Sequence, residues 1–221
     1  MVKSSSSKQN GSKIPMALIA LGVLAVVYGI FKKNSKLPVL GPKDFNVELV
    51  DNSLQNNAAP HRVANFELIN QNGEIITQED YADKIYVTDF FFTRCPSICP
   101  IMTNHMEQLQ EVFRDTPDVM LLSISVTPEV DSVPILKEYA LRNGVMDYKW
   151  NITTGNKEHI YNLARKSYFA AVDYGDGGLQ DFIHTPNFVL VDKKKQIRGV
   201  YDGTNNDEIH KLIDAIKTLT E

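Results

Sequence analysis

The sequence predicts an α/β fold, a mixed sheet flanked by helices and preceded by one N-terminal transmembrane helix. Three observations predict it. Two continuous apolar runs, Ile85 to Phe92 and Val119 to Val126, have the character of strands buried on both faces of a sheet. Each is followed by a segment whose apolar residues recur at helical spacing. Residues 14–31 carry no charge over 18 positions, roughly 27 Å as a helix against about 30 Å of bilayer core.

The elements follow in order. Phe66 to Ile69 and Glu74 to Thr77, joined by Asn70-Gln71-Asn72-Gly73, predict a β-hairpin. After the strand at Ile85, the residues Ile101, Met102, Met106, Leu109, Val112 and Phe113 mark the inner face of a helix. Val133, Leu136, Tyr139 and Ala140 line another, which Asn143-Gly144 can end. A strand around Tyr148 to Ile152 leads into a helix over Lys157 to Ser167 with Asn156 as its N-cap. A glycine-rich loop at 173–178 follows. Phe188 to Val191 and Ile197 to Tyr201 then pair across Asp192 to Lys195, and Ile209, Leu212, Ile213, Ile216 and Leu219 give a closing helix. With a pair of cysteines at a strand-to-helix turn, this is the thioredoxin-like arrangement.

Domain organisation comes from the shift in composition along the first sixty residues. Residues 1–13 form a Ser- and Lys-rich tail, expected on the cytoplasmic side. Residues 14–31 are expected to remain as a transmembrane anchor: Phe31-Lys32-Lys33-Asn34 follows them where a cleaved signal peptide needs small residues. Residues 32–60, with Pro38, Pro42 and a Gln/Asn-rich tract, are expected to be a linker, and 61–221 the folded domain. Lysines balance across the apolar segment, so charge alone does not orient it. A net charge of −4 disfavours nucleic acid as a partner. Two cysteines cannot form a disulfide framework, so the fold must rest on its core.

Those two cysteines stand in Cys95-Pro96-Ser97-Ile98-Cys99-Pro100. Four positions apart at the start of a helix, both would share one face, and the unpaired N–H groups there favour thiolates. Such a pair can close a disulfide or hold a soft metal ion, and Arg94 could add positive charge. A metal needs a further donor. Of the five histidines, His61, His159 and His210 are expected on the surface, and His105 on a different helix face from the sulfurs. His184, in Asp181-Phe182-Ile183-His184-Thr185-Pro186-Asn187, precedes a strand that passes next to the cysteine turn in a thioredoxin-like sheet, and could complete the set.

Phe92-Thr93-Arg94-Cys95-Pro96-Ser97-Ile98-Cys99-Pro100, then Ser125-Val126-Thr127-Pro128-Glu129-Val130-Asp131, then His184-Thr185, give the chain its resemblance to the Sco/SenC family of copper-binding assembly factors, from about residue 65 onward. The resemblance implies copper bound by Cys95, Cys99 and His184. Two thiolates and an imidazole suit Cu(I), and Cu(II) with an added ligand. It further implies a non-enzymatic, membrane-tethered copper chaperone delivering copper to the dinuclear copper centre of cytochrome c oxidase. The partners would be the copper-bearing oxidase subunit and a thiol reductant or upstream copper donor. The expected location is a bacterial inner membrane, single-pass, with the domain facing the periplasm. The alternative is a membrane-tethered thiol–disulfide oxidoreductase using a Cys95–Cys99 disulfide. Two positions depart from the family pattern, Ser97 and Thr127, where acidic residues often stand. Pro186 resembles the cis-proline of thiol oxidoreductases, so a cis Thr185–Pro186 bond is expected.

Overall fold

The computed structural model describes residues 37–46, 50, 54, 61–170, 183 and 185–221. The expected tail (1–13), transmembrane helix (14–31), glycine-rich loop and His184 lie outside the described residues.

Seven strands form one mixed sheet among the described residues, in the order β2-β1-β5-β4-β3-β6-β7. They are β1 (Glu67–Asn70), β2 (Ile75–Thr77), β3 (Ile85–Phe91), β4 (Val119–Ser125), β5 (Trp150–Thr154), β6 (Asn187–Val191) and β7 (Ile197–Asp202). The central trio β3, β4 and β5 runs parallel, and the pairs β1–β2, β1–β5, β3–β6 and β6–β7 are antiparallel. Parallel neighbours need crossovers, supplied here by α1 (Cys99–Val112) and α2 (Val133–Arg142). Helix α3 (Lys157–Asn162), capped by Asn156, runs into a π-helical turn at Leu163–Ser167, and α4 (Asn206–Thr220) closes the chain. This is the expected thioredoxin-like α/β architecture.

All seven residues of β3 are buried, as the unbroken apolar run requires of a central strand. Alternate residues face opposite sides. Ile85, Val87 and Phe91 join a core with α1, α2 and α4, while Tyr86 and Phe90 join a second core with α3 and the π turn. On α1, Met102, Met106 and Leu109 are fully buried, whereas Ile101 (45%) and Val112 (46%) face solvent, contrary to their expected place on the inner face. The apolar stripe is narrower than the composition suggested.

The segment expected to be a free linker is in part docked. Leu40 pairs with Ile197 on the outer edge of β7, its N–H donating to the Ile197 carbonyl at 2.8 Å. The Arg198 guanidinium binds the carbonyls of Pro38 (2.8 Å) and Leu37 while ion-pairing with Asp192 (2.8 Å). The reason is the edge: β7 has unpaired backbone groups on one side, and a neighbouring stretch of chain satisfies them.

Candidate metal centre

The cysteine loop leaves the carboxyl end of β3, beside that of β4, where parallel strands open a crevice. A turn forms at once, Cys95 N–H donating to the Phe92 carbonyl at 3.2 Å. Helix α1 then begins at Cys99, with Pro100 in its first turn, where a missing N–H costs nothing. The two cysteines therefore do not share a helix face as expected: Cys95 lies in the loop and Cys99 heads the helix. The contact between them survives by another route. The Cys99 N–H, free at the helix start, donates to Cys95 Sγ at 3.4 Å.

Both are free thiols and both are buried. They differ sharply in acidity. Burial opposes the Cys95 thiolate, but hydrogen bonds from the Cys99 thiol and N–H and from Ser97 outweigh it and bring Cys95 down to about 6. The Ser97 hydroxyl lies 3.7 Å from the sulfur. Cys99 is pushed up to about 12, by burial first and by its hydrogen bond to Cys95 next. The pair is thus one thiolate stabilised by one thiol, and hydrogen bonds rather than the exposed Arg94 produce the asymmetry.

Two polar groups below the cysteines escaped the sequence reading. Thr103, one turn along α1, donates to the Cys99 carbonyl at 2.8 Å; its only proton is thereby used, so Tyr139 must donate to Thr103 Oγ1 at 2.6 Å. Helix α2 is thus braced to the turn that carries Cys99. Asp89, hidden within the apolar run, is on the cysteine side of β3 by strand alternation. Burial pushes its carboxyl up to about 7, even though Ser123 donates to it at 2.5 Å.

Four of the five histidines fall among the described residues. His61 is not a surface residue: Nε2–H donates to the Ser167 carbonyl at 2.7 Å, its ring packs on Phe169, and burial lowers its pKa. His159 Nε2 accepts from Glu67 N–H at 3.3 Å, and His210 is exposed. His105 Nδ1–H donates to the Gly203 carbonyl at 2.7 Å, away from the sulfurs. Among the described residues no third histidine, cysteine or carboxylate joins Cys95 and Cys99 in a metal-binding group. His184 is outside them, but the residues that follow it are fixed to the cysteine helix. Gly203 N–H donates to the Pro186 carbonyl at 2.7 Å, and the same glycine holds His105 of α1. A side chain at 203 would strike Phe188 at 2.6 Å and Pro186 O at 2.8 Å, which explains the glycine. The Thr185–Pro186 bond is trans, against expectation. Trans is the lower-energy isomer by about 0.5–1 kcal/mol even before proline, and Gly203 binds it in that form.

The donor set fits a soft metal: two sulfurs side by side, one already disposed to be a thiolate. The SCO1/SenC family profile matches residues 55–221. The chain is 32% identical over 162 residues to the SCO1 protein homolog of Bacillus subtilis, covering 72% of this chain and 83% of that one. Its fold matches a SCO1/SenC family lipoprotein from Bacillus anthracis at 30% identity and a TM-score of 0.65, over 73% of this chain and 96% of that chain. It also matches BsSco, a member of the Sco family of cytochrome c oxidase assembly proteins for which a disulfide switch is described, at 31% identity and a TM-score of 0.62, over 72% and 94%. A copper-bound ScoI from Arabidopsis thaliana shares the fold at 24% identity and a TM-score of 0.54, over 70% and 98%. The chain belongs to the SCO1/SenC family.

Proposed function

We propose that this protein is a membrane-tethered copper chaperone that holds Cu(I) through Cys95, Cys99 and His184 and passes it to the dinuclear copper site of cytochrome c oxidase. The observation that carries the reading is the asymmetric thiol pair at the β3–α1 turn, in a chain related to copper-bound and oxidase-assembly proteins. Cys95 offers a thiolate at neutral pH, and Cys99 must give up its proton when metal arrives. Three protein donors leave room for an incoming thiolate to take over the metal by exchange. The domain would face the periplasm of a bacterial inner membrane, anchored by residues 14–31.

The test is a Cu(I) titration of the reduced full chain against a chromophoric chelator. One equivalent binds tightly to the parent, Cys95→Ser and Cys99→Ser abolish this, and His184→Ala weakens it. A parent that fails to bind one equivalent overturns the reading. The two thiols also set the pH dependence. Above pH 7 only Cys99 still carries a proton, so log K rises by about one unit per pH unit, where two ordinary thiols would give about two. A slope of two between pH 7 and 8 would show that the asymmetry is absent.

The same asymmetry favours one second reading, a thiol–disulfide oxidoreductase. Cys95 would attack a partner disulfide, one partner thiolate leaving, and Cys99 would then displace the second. The Cys95–Cys99 disulfide forms as the partner gains two electrons. That chemistry needs no histidine, so full exchange activity in His184→Ala, with no copper bound by the parent, would favour it.

A further inference from the structure

Asp131 is wholly buried, yet among the described residues no lysine or arginine pairs with it. Four hydrogen-bond donors surround its carboxylate instead. Oδ2 accepts from Thr93 N–H (3.1 Å), Ser125 Oγ (2.6 Å) and Thr127 Oγ1 (3.0 Å), and Oδ1 accepts from Thr93 Oγ1 (2.6 Å). These donors belong to two separate stretches of chain. Ser125 ends β4 and Thr127 opens the turn after it, whereas Thr93 stands two residues before Cys95.

The β3–β4 ladder ends at the pair Phe91–Ser125, and one further backbone bond, Val126 N–H to the Phe91 carbonyl at 2.9 Å, follows it. Beyond this point the strands part, and the N–H of the half-buried Thr93 would lose its ladder partner. A carboxylate, with two oxygens and about four acceptor positions, can take the ladder's place. Asp131 is held for this by its own turn, its N–H donating to the Thr127 carbonyl at 2.9 Å.

We propose that Asp131 is a positioning residue for Cys95, locking the loop that carries the reactive sulfur to the end of β4 so that Cys95 stays against the start of α1. The inference rests on the Cys95–Cys99 pair being the working site. It assigns different tasks to the two sides of the clamp. The Thr93 bonds set where Cys95 sits, and the Ser125 bond anchors the carboxylate to the sheet.

The full reduced chain, free of metal, is treated with oxidised glutathione, and the rate at which Cys99 closes the disulfide on Cys95 is compared with the urea midpoint. Asp131→Ala should slow closure by about tenfold and Thr93→Val by about threefold, because ring closure depends on the relative placement of the sulfurs. Asp131→Asn should stay within about twofold of the parent, since an amide oxygen can replace Oδ2 while its NH2 donates to the Thr93 hydroxyl. Ser125→Ala should lower the urea midpoint while closing within about twofold of the parent rate, because the Thr127 hydroxyl and the Asp131–Thr127 backbone bond still hold the carboxylate at the end of β4. If Asp131→Ala does not fold, Thr93→Val and Asp131→Asn carry the test. Parent-like closure in Thr93→Val, or closure rates that fall in step with urea midpoints across all variants, Ser125→Ala included, would overturn the proposal. Closure is read without metal, so a parent that closes its disulfide but binds no copper fails the copper reading and not this one.

Discussion

The two faces of the sheet bury polar groups for different ends. On the face shared with α1, α2 and α4, the buried polar groups Asp89, Ser123 and Thr103 lie among the thiols or on their supports. On the face shared with α3, buried tyrosines are prominent among the polar groups, and they bond to one another, to the backbone or, for Tyr81, to the Asn151 amide as well. Tyr86 OH meets Tyr168 OH at 3.0 Å, Tyr81 donates to the Leu121 carbonyl at 3.1 Å, and Tyr161 donates to the Val126 carbonyl at 3.1 Å. Burial raises Tyr81, Tyr86 and Tyr168 well beyond the usual tyrosine range, so all three stay neutral. The thiol face therefore holds Cys95 and Asp89, both brought near neutral pH, whereas the three phenols of the other face stay protonated throughout that range. The first modulates chemistry and the second holds shape.

The largest expected effect lies on the thiol face. Asp89 retains a proton up to about pH 7 in the folded protein, while in the unfolded chain it releases it near 3.8. Its contribution is therefore fully present below about pH 4 and is lost as pH rises toward 7. Asp89→Asn removes that slope and makes the variant more stable than the parent at pH 8, by up to about 4 kcal/mol. Urea melts at pH 4 and pH 8 read the difference, and an unchanged slope would show that Asp89 is ionised in the folded state. The same substitution should lower Cys99, because repulsion from the Asp89 carboxylate adds to the burial that holds it up.

A smaller effect is expected on the other face. Tyr86→Phe removes one hydroxyl from the Tyr86–Tyr168 pair and should cost about 1 kcal/mol of stability. Cys95 alkylation should be unchanged, and a change in it would break the division between the faces. Smallest is Ser97→Ala, which removes one of several hydrogen bonds to the Cys95 sulfur. Alkylation by iodoacetamide at pH 6 should slow by about twofold, since less of Cys95 is thiolate.

The sequence and the structure agree best where burial follows from pattern. The unbroken run at Ile85 and the helical spacing after Cys99 appear within a residue or two of the residues that predicted them, and the closing helix begins three residues ahead of Ile209. Where a polar residue sits inside an apolar pattern, the pattern says nothing of its partners. Asp89 passed as one member of a continuous run because its donor Ser123 is 34 residues distant, and Asp131 as one residue of a motif because Thr93, which ties it to the cysteine loop, is 38 residues away. The helix expected over Lys157 to Ser167 changes to π geometry at Leu163, a shift that apolar spacing does not encode. The docking of residues 37–45 was illegible for the same reason: its partner, Arg198, lies 160 residues from Pro38.

That docked segment has a practical consequence. A chain begun at His61, where composition places the domain, would strip Leu40 from β7 and take the Pro38 and Leu37 carbonyls from Arg198, leaving its ion pair with Asp192. The outer edge of β7 would then present open N–H and C=O groups, a template on which a second copy can add a strand. Such a protein should self-associate where one begun at Leu37 does not, and light scattering of the two side by side would tell them apart. Residues 37–40 thus act as an internal cap against edge-to-edge aggregation.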